Sequence, residues 1–516
     1  MTSIAEPLPP LARPTLYDGW MSRLSAVPRT ARLWRWLAPA LVTLVAAILR
    51  LWNLGHPGTL IFDETYYVKD AWTQWNLGYA ASWPDDADAS FVAGDTDVFL
   101  TSGSFVVHPP LGKFLIGAGM ALFGPESAFG WRIAVAVFGI ATVLVLYLVA
   151  KSLSGSIAFA TVASALMAVD GMAIAMSRVA LLDGILTFFV LLAFWFIVRD
   201  HRRTATRFAA ALAARDHGDD PPAWGPVLWN RPWVIAAGAA VGAATAVKWS
   251  GLYVAAGLGI YLVVVDALAR RRAGVIFWPT DAAFRQGVVT FVLFIPVAAA
   301  VYLASWTSWL TTDGGYGRRA LEGSNGGGIG SALANLWAYH EQIYGFHVGL
   351  VSAHGYASPA WQWPLLTRPT SMYFQNDDQV VQNIYSMPNP LVWYAAVAAA
   401  VYLVWRFAVS RDWRIALVLT GIAVTYVPWL LYPERTIFQF YTVAILPFLL
   451  LALTFALRDL AGAGSTDGYR RRSGQRVVWV YLAVVLVVAA FWYPIVTATA
   501  VPYDFWRLHN WMPTWI

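Results

Sequence analysis

The sequence predicts an all-α, polytopic integral membrane protein, and three observations carry that expectation. Hydrophobic residues make up 59% of the 516 positions and charged residues only 12%, about half the roughly 25% of a soluble domain. The apolar residues gather into runs of about 20, the length that crosses a bilayer as a helix. Aromatic residues are abundant, with 28 Trp and 23 Tyr, as suits rings that favour the headgroup level at both faces. No cysteine is present, which excludes disulfides, thiolate metal sites and cysteine nucleophiles. The net charge of +6 comes from Arg clusters that set topology, and it implies no nucleic-acid partner.

Taken in order, residues 1–35, with EPLPPLARP and several Arg, are expected to form a mostly disordered cytoplasmic tail. No short cleavable signal precedes the first apolar run, so that run is expected to stay as an anchor. Spans are expected near 36–54, 131–150, 156–175, 181–199, 233–249, 251–269, 286–305, 391–408, 413–431, 436–457 and 477–498, about eleven helices of the roughly 20 residues a crossing needs. The stretch LGKFLIGAGMALFG at 111–124 is too short to cross and is expected to lie along the interface. With the N-terminus cytoplasmic, about 24 of the 35 basic residues fall on inner segments and about ten on outer ones, the bias that sets orientation. An odd number of spans then puts the C-terminus outside. Residues 36–516 form one transmembrane catalytic domain in this reading, with two long outward loops, 55–130 and 306–390. The inner stretch 200–232, with HGDDPP, reads as a solvated connector.

No repeat of 20–50 residues is visible, nor two halves of matched hydropathy such as many transporters show. The Gly-rich run DGGYGRRALEGSNGGGIG at 313–330 lacks the Gly-Lys-Ser/Thr ending of a nucleotide loop and reads as flexible backbone.

Several polar residues stand out in so apolar a chain. Asp63 and Glu64 sit just past the first span in IFDETYYVKDAW. A carboxylate is suited to take a proton from a hydroxyl as a bond forms. Helix neighbours point about 100° apart, so one can face a reacting centre while the other orients a partner. A solvated helix start, where acids favour the positive dipole end, is the equal alternative. His108-Pro109-Pro110-Leu111-Gly112-Lys113 follows. Its His and Lys supply donors for an anion, or Lys113 snorkels to headgroups from a Pro-started helix. SRVALLDG brings Arg178 and Asp183 to the turn between the third and fourth spans, AVKWSG holds Lys248, and YPERTIFQFY holds Arg435 beside Glu434. Several cations converging on one face suit a lipid-linked phosphate, with interfacial snorkelling open for each. Arg50, late in the first span, reads as an anchor.

In the second outer loop His340, His347 and His354 recur every seven residues and share a face if that stretch is helical. The i, i+4 spacing of helical metal pairs is missing, so no metal residues are assigned, and a divalent cation is the one cofactor left open. Trp361, Trp363 and Tyr373 are placed either to stack on a sugar or to dip into the bilayer surface.

Together FDE at 62–64, HPPLGK at 108–113, SRVALLDG at 177–184, AVKWSG at 246–251, SPAWQWPLLTRP at 358–369 and FQFY at 438–441 resemble the protein O-mannosyltransferase family, its actinobacterial-type branch in particular. The resemblance implies the GT-C glycosyltransferase architecture, a polyprenyl-phosphate mannose donor and Ser/Thr hydroxyls of secreted polypeptides as acceptors. It implies an active site on the outer face of a multi-pass plasma-membrane protein. Carried over by position, Asp63 is the base and Glu64 helps to position acceptor or sugar. Arg178, Lys248, Arg435 and His108 hold the donor's phosphate, while Asp183, His347 and Trp361 stand on the acceptor or sugar side. The reaction implied is a single inverting displacement, with fixed cations meeting the leaving group's charge. The large soluble insert of fungal and animal members has no room in 306–390, which leaves acceptor selection to the loop or to coupling with the secretion translocon; membrane lipids complete the partners. Two rival readings stand: a transferase moving arabinose or aminoarabinose from a lipid phosphate onto lipid or glycan, and a transporter or flippase. A transporter is expected to hold charges near the midplane, whereas here they collect at one face.

Overall fold

The computed structural model describes residues 15–214, 221–320 and 328–516. Helix α1 (Leu16–Ala26) leads directly into α2 (Pro28–Leu51). Residues 15–35 are therefore largely helical rather than a disordered tail. Thr15 caps α1 by accepting from the Asp18 amide, Asp18 pairs with Arg471 at 2.6 Å, and Trp20 meets Trp34 edge-on. These contacts offset the entropy of ordering so short a helix. Residues 1–14 of the expected tail lie outside the described residues.

The first long loop carries α3 (Glu64–Leu77), α4 (Ala87–Val92) and α5 (Leu111–Phe123). The bundle continues with α6 (Ala128–Ser154), α7 (Ile157–Val169), α8 (Gly171–Ala175), α9 (Leu182–Ala213), α10 (Pro232–Val247), α11 (Gly251–Arg272) and α12 (Trp278–Ser305). The second loop holds α13 (Thr307–Thr311) and α14 (Ile329–Gly349). After it come α15 (Pro390–Ser410), α16 (Trp413–Leu431), α17 (Leu446–Leu460), α18 (Gly468–Val496) and α19 (Tyr503–Arg507). Eight of the described helices, α2, α6, α9, α11, α12, α15, α16 and α18, are long and apolar enough to cross a membrane. The remaining expected spans fall on α7, α10 and α17, which are shorter than the roughly 20 residues a crossing needs. Asp170 interrupts the first of these, because its side chain caps α8 through the Ala173 amide at 3.0 Å.

Three further expectations are corrected. The fold is mostly rather than entirely helical, since β1 (Thr370–Asp377), β2 (Val380–Ser386) and β3 (Val501–Pro502) form an antiparallel sheet in the order β1-β2-β3. The two-residue turn Asp378–Gln379 takes positive φ at both positions, as tight hairpins require to match strand twist. Helix α5 buries Lys113, Ile116 and Met120 and packs against α3 and α6, so it is part of the bundle. The stretch 200–232 is more than a connector: α9 runs on to Ala213, and buried Arg231 donates to Asp200 at 2.6 Å, Asp266 at 2.6 Å and Thr290 at 3.1 Å. Residues 217–220, the HGDD of that stretch, lie outside the described residues, as do 321–327 of the Gly-rich run.

Close helix approach positions the site from below. Gly238 and Gly242, four apart on α10, face α12. A Cβ added at either would lie 2.5 Å from a backbone oxygen, that of Phe294 or Ala298. This small-residue spacing lets membrane helices pack backbone to backbone. Helix α10 ends six residues beyond Gly242, at its C-cap Lys248.

Candidate active site

The chain between α2 and α3 is held by two buried arginines. Arg178 donates from Nη1 to the carbonyls of Arg50 (2.9 Å) and Trp52 (2.6 Å) and from Nη2 to that of Asn53 (3.0 Å). It thereby satisfies carbonyls that the end of a helix leaves unpaired. Arg132 reaches the carbonyls of Pro57 at 2.8 Å and Thr59 at 2.9 Å and meets Glu64 with two parallel bonds of 2.8 Å each. Glu64, fully buried, also accepts from the amides of Ile61 at 3.1 Å and Ala180 at 2.8 Å. A buried charge paired and hydrogen-bonded this completely is a fixture of the scaffold. Glu64 therefore positions backbone rather than acceptor or sugar, and Arg178 caps α2 instead of lying at a phosphate. Phe62, between them, takes φ 51°, a conformation costly for an aromatic residue and typical of functional segments. Its ring lies edge-on to Phe438, Phe440 and His354.

Asp63 emerges from this frame as the N-cap of α3 with no capping bond. Beside it lies a cavity of about 250 Å3 lined by His108, Asp183, Lys248, Trp249, Tyr253, His347, Trp429, Tyr432, Arg435 and Tyr441 among others. Five of the residues singled out in the sequence thus meet in one cavity, drawn from five separate segments. Asp63 is not itself a lining residue; it interacts electrostatically with Lys248 and Asp183, which are. Lys248 binds both Asp183 oxygens, at 3.0 and 2.9 Å, and lies 4.8 Å over the Tyr441 ring. Arg435 Nη2 is 3.0 Å from His347 Nδ1, while Arg435 Nε and His108 Nδ1 are buried with no hydrogen-bond partner among the described residues. Unpaired buried polar atoms are costly, and here two of them border a cavity that also contains a lysine.

The electrostatics divide the site. Burial pushes the Asp63 carboxyl up to about 6, Lys248 pulls it down and Asp183 pushes it further up. Burial pushes His108 well below its usual range, with Lys248 and the neighbouring cations adding to this, and pushes His347 down to about 4 with Arg435 contributing. Both imidazoles are neutral at pH 7 and Asp63 is ionised. A raised carboxyl therefore stands beside a recess lined by Lys248, Arg435 and two imidazoles.

Two expected groups lie elsewhere. Lys113 pairs with Asp70 at 3.3 Å inside the bundle. Trp361, in the 3-10 turn Ala360–Leu365, is 60% exposed and does not line the cavity. His340 and His347 share α14, whereas His354 lies beyond its end. Sequence reasoning missed Tyr67, whose ring lies 6.0 Å from that of His108, and Tyr441. Tyr67 sits one turn after Asp63, on the same face of a helix, so its spacing was a usable signal. Arg132 was also missed, and a lone Arg in GWRIAV carries no local mark of its partner Glu64.

The sequence pattern described as dolichyl-phosphate-mannose-protein mannosyltransferase matches residues 40–214, and that of the C-terminal four-span region of protein-O-mannosyltransferase matches 332–515. A polyprenol-phosphate-mannose–protein mannosyltransferase of Mycobacterium tuberculosis is 32% identical over 504 residues, 94% of this chain and 92% of that one. A protein of the same description from Corynebacterium glutamicum is 28% identical over 497 residues, 93% of each chain. Among solved structures, the donor-bound protein O-mannosyltransferase Pmt1–Pmt2 complex of S. cerevisiae aligns with a TM-score of 0.72 at 15% identity over 93% of this chain and 92% of that one. The oligosaccharyltransferase AglB of Archaeoglobus fulgidus aligns at 0.52 and 14% identity over 93% of this chain and 58% of that one. At those identities the structures speak for a shared GT-C membrane fold alone, while the mycobacterial likeness speaks for descent. The chain belongs to the protein O-mannosyltransferase family.

Proposed function

We propose that this enzyme transfers mannose from polyprenyl-phosphate mannose to Ser/Thr hydroxyls of secreted polypeptides, by one inverting displacement at the extracytoplasmic face of the plasma membrane. Family membership supports mannose as the sugar and protein as the acceptor, over the arabinose-type and transport readings. The residue roles rest on the cavity, and one observation carries them: Arg435 and His108, each with a buried nitrogen that has no partner among the described residues, line the same recess as Lys248, with a carboxylate next to it that has none either.

The donor's phosphate lies among Lys248, Arg435 and His108, and its mannose points toward Asp63. The acceptor polypeptide enters from the Asp63 side. The acceptor oxygen attacks the anomeric carbon as its proton passes to Asp63. The carbon–oxygen bond to phosphate breaks, and its electron pair leaves on the phosphate oxygen, where the fixed cations stabilise the growing charge. Inversion requires the acceptor and the leaving phosphate to lie on opposite sides of the reacting carbon. Asp183 keeps the Lys248 ammonium in register. The chain's own cations, Lys248 and Arg435, supply the leaving-group stabilisation. The orientation has eleven spans, the N-terminus cytoplasmic, the C-terminus and the loops 55–130 and 306–390 outside, and acceptors arriving from the secretion translocon among membrane lipids.

The test is Asp63→Asn in purified enzyme, with polyprenyl-phosphate mannose and a Ser/Thr-rich peptide. The amide keeps the shape and loses the base, so turnover falls by about 10²–10⁴-fold, the usual contribution of general base catalysis, while donor binding persists. Unchanged turnover would remove Asp63 from the mechanism.

A further inference from the structure

We infer that His347 is a positioning residue for the leaving-group clamp, a neutral imidazole that holds the Arg435 guanidinium against the 106–108 segment. The inference rests on the reading that Arg435 and His108 receive the donor's phosphate.

Two contacts fix its state. His347 Nε2 lies 2.8 Å from the Val107 carbonyl oxygen; a carbonyl only accepts, so Nε2 carries the proton. Arg435 Nη2 lies 3.0 Å from Nδ1; a guanidinium only donates, so Nδ1 offers its lone pair. Both bonds hold in a single neutral tautomer. A second proton on the ring would set N–H against N–H and break the Arg435 contact.

The consequence is geometric. Arg435 and His108 come from segments more than 300 positions apart in the chain, and one imidazole touches both. The His108 ring stacks on His347 with centroids 5.2 Å apart, and Val107, bonded to His347, is the residue before it. Arg435 spends one Nη on His347, its buried Nε has no hydrogen-bond partner among the described residues, and the residue lines the recess. The helix carrying His347 is itself anchored, because the Tyr339 hydroxyl bonds the amide and the carbonyl of Val106, each at 2.9 Å. An arginine fork is useful for a phosphate only when its plane is fixed. Without His347, the Arg435 guanidinium keeps its contact with the Trp429 ring, 5.5 Å away, and loses the hydrogen bond that fixes its plane.

The two halves of the imidazole can be separated. In His347→Asn the amide oxygen falls near the position of Nδ1 and still accepts from Arg435. In His347→Gln the amide reaches the position of Nε2 and keeps Val107 but leaves Arg435. The readouts are donor Kd, with polyprenyl-phosphate mannose, and the KM and kcat of peptide mannosylation by the purified full chain. His347→Asn is expected to stay within about threefold of wild type in donor Kd and KM, whereas His347→Gln and His347→Ala weaken both by about tenfold or more, the size of one hydrogen bond to a charged group. Asn and Gln variants that behave alike, or a Gln variant nearer to wild type, would overturn the inference. Arg435→Ala separates this from the reading beneath it. If it leaves donor Kd unchanged, the phosphate clamp itself is misplaced; if it weakens the donor while Asn and Gln behave alike, only the role of His347 fails.

Discussion

The Asp63 carboxylate has no hydrogen-bond or ion-pair partner among the described residues, whereas Glu64, one position on, accepts four bonds from Arg132 and two backbone amides. The two acids have opposite fates because neighbours on a helix start point about 100° apart. One faces the scaffold and is fully paired. The other is desolvated without a partner, which raises it to about 6. A general base works only when ionised, so donor-saturated turnover is expected to fall about tenfold per pH unit below about pH 6 and to level off above it. Lys248 pulls Asp63 down, so in Lys248→Met the residual activity should show the same limb moved to higher pH. Initial rates across pH 4.5–8.5 check both, and a limb near the ordinary carboxylate value in wild type would contradict the assignment. At this scale the sequence reading located His108, Asp183, Lys248, His347 and Arg435, which the fold brings to one cavity. It placed Glu64 and Arg178 at the site as well, because a linear motif does not show which face of the turn each side chain takes. The partner that withdraws Glu64 lies 68 positions away.

Helices were legible where apolar runs are long, and less so where a helix ends or bends for a polar reason. The run 156–175 is broken by the capping side chain of Asp170, and the hairpin at 370–386 announces itself only by a two-residue polar turn between β-branched and aromatic residues. Helix α5 looked interfacial because its length was judged without its glycines, through which it sits close against neighbouring helices. Helix α10 approaches α12 in the same way, and this contact gives an element-scale prediction. Gly242→Ala puts a carbon 2.5 Å from the Ala298 oxygen and 2.9 Å from its Cα, so α10 must move. Overpacking of this kind costs about 1–3 kcal/mol, against a helix-propensity gain of about 1 kcal/mol for losing a glycine. Gly259→Ala, on α11 with nothing within 4 Å of the added carbon, collects only the gain. The expected order of unfolding midpoints in detergent is therefore Gly259→Ala at or above wild type and Gly242→Ala below it. Because Lys248 caps α10 six residues beyond Gly242, the same variant should also raise the KM for the lipid donor. An equal midpoint and KM in both variants would mean that the α10–α12 contact does not set the position of Lys248.

The whole molecule has two unlike ends. One carries the loops, the cavity and Asp63; the other carries the buried network of Arg231, Asp200 and Asp266 and the Arg-rich ends of α11 and α15. Composition made the membrane class plain, since a chain with 12% charged residues cannot cover a soluble surface. Eleven apolar runs gave a span count, yet among the described helices eight have the length to cross alone, because the expected count depends on short helices extended by flanking turns. Charge bias predicts that the Arg-rich end faces the cytoplasm, and the absence of cysteine makes this directly testable, since any thiol introduced is the only one. Ser102→Cys and Trp361→Cys place exposed thiols in the two long loops, and Ser410→Cys places one at the end of α15 on the opposite side. A membrane-impermeant maleimide added to intact cells is expected to label the first two and to reach Ser410→Cys only after permeabilisation. Labelling of Ser410→Cys alone in intact cells would put the cavity on the cytosolic leaflet. A polypeptide emerging from the translocon would then have no route to Asp63, and extracytoplasmic mannosylation would have to be abandoned.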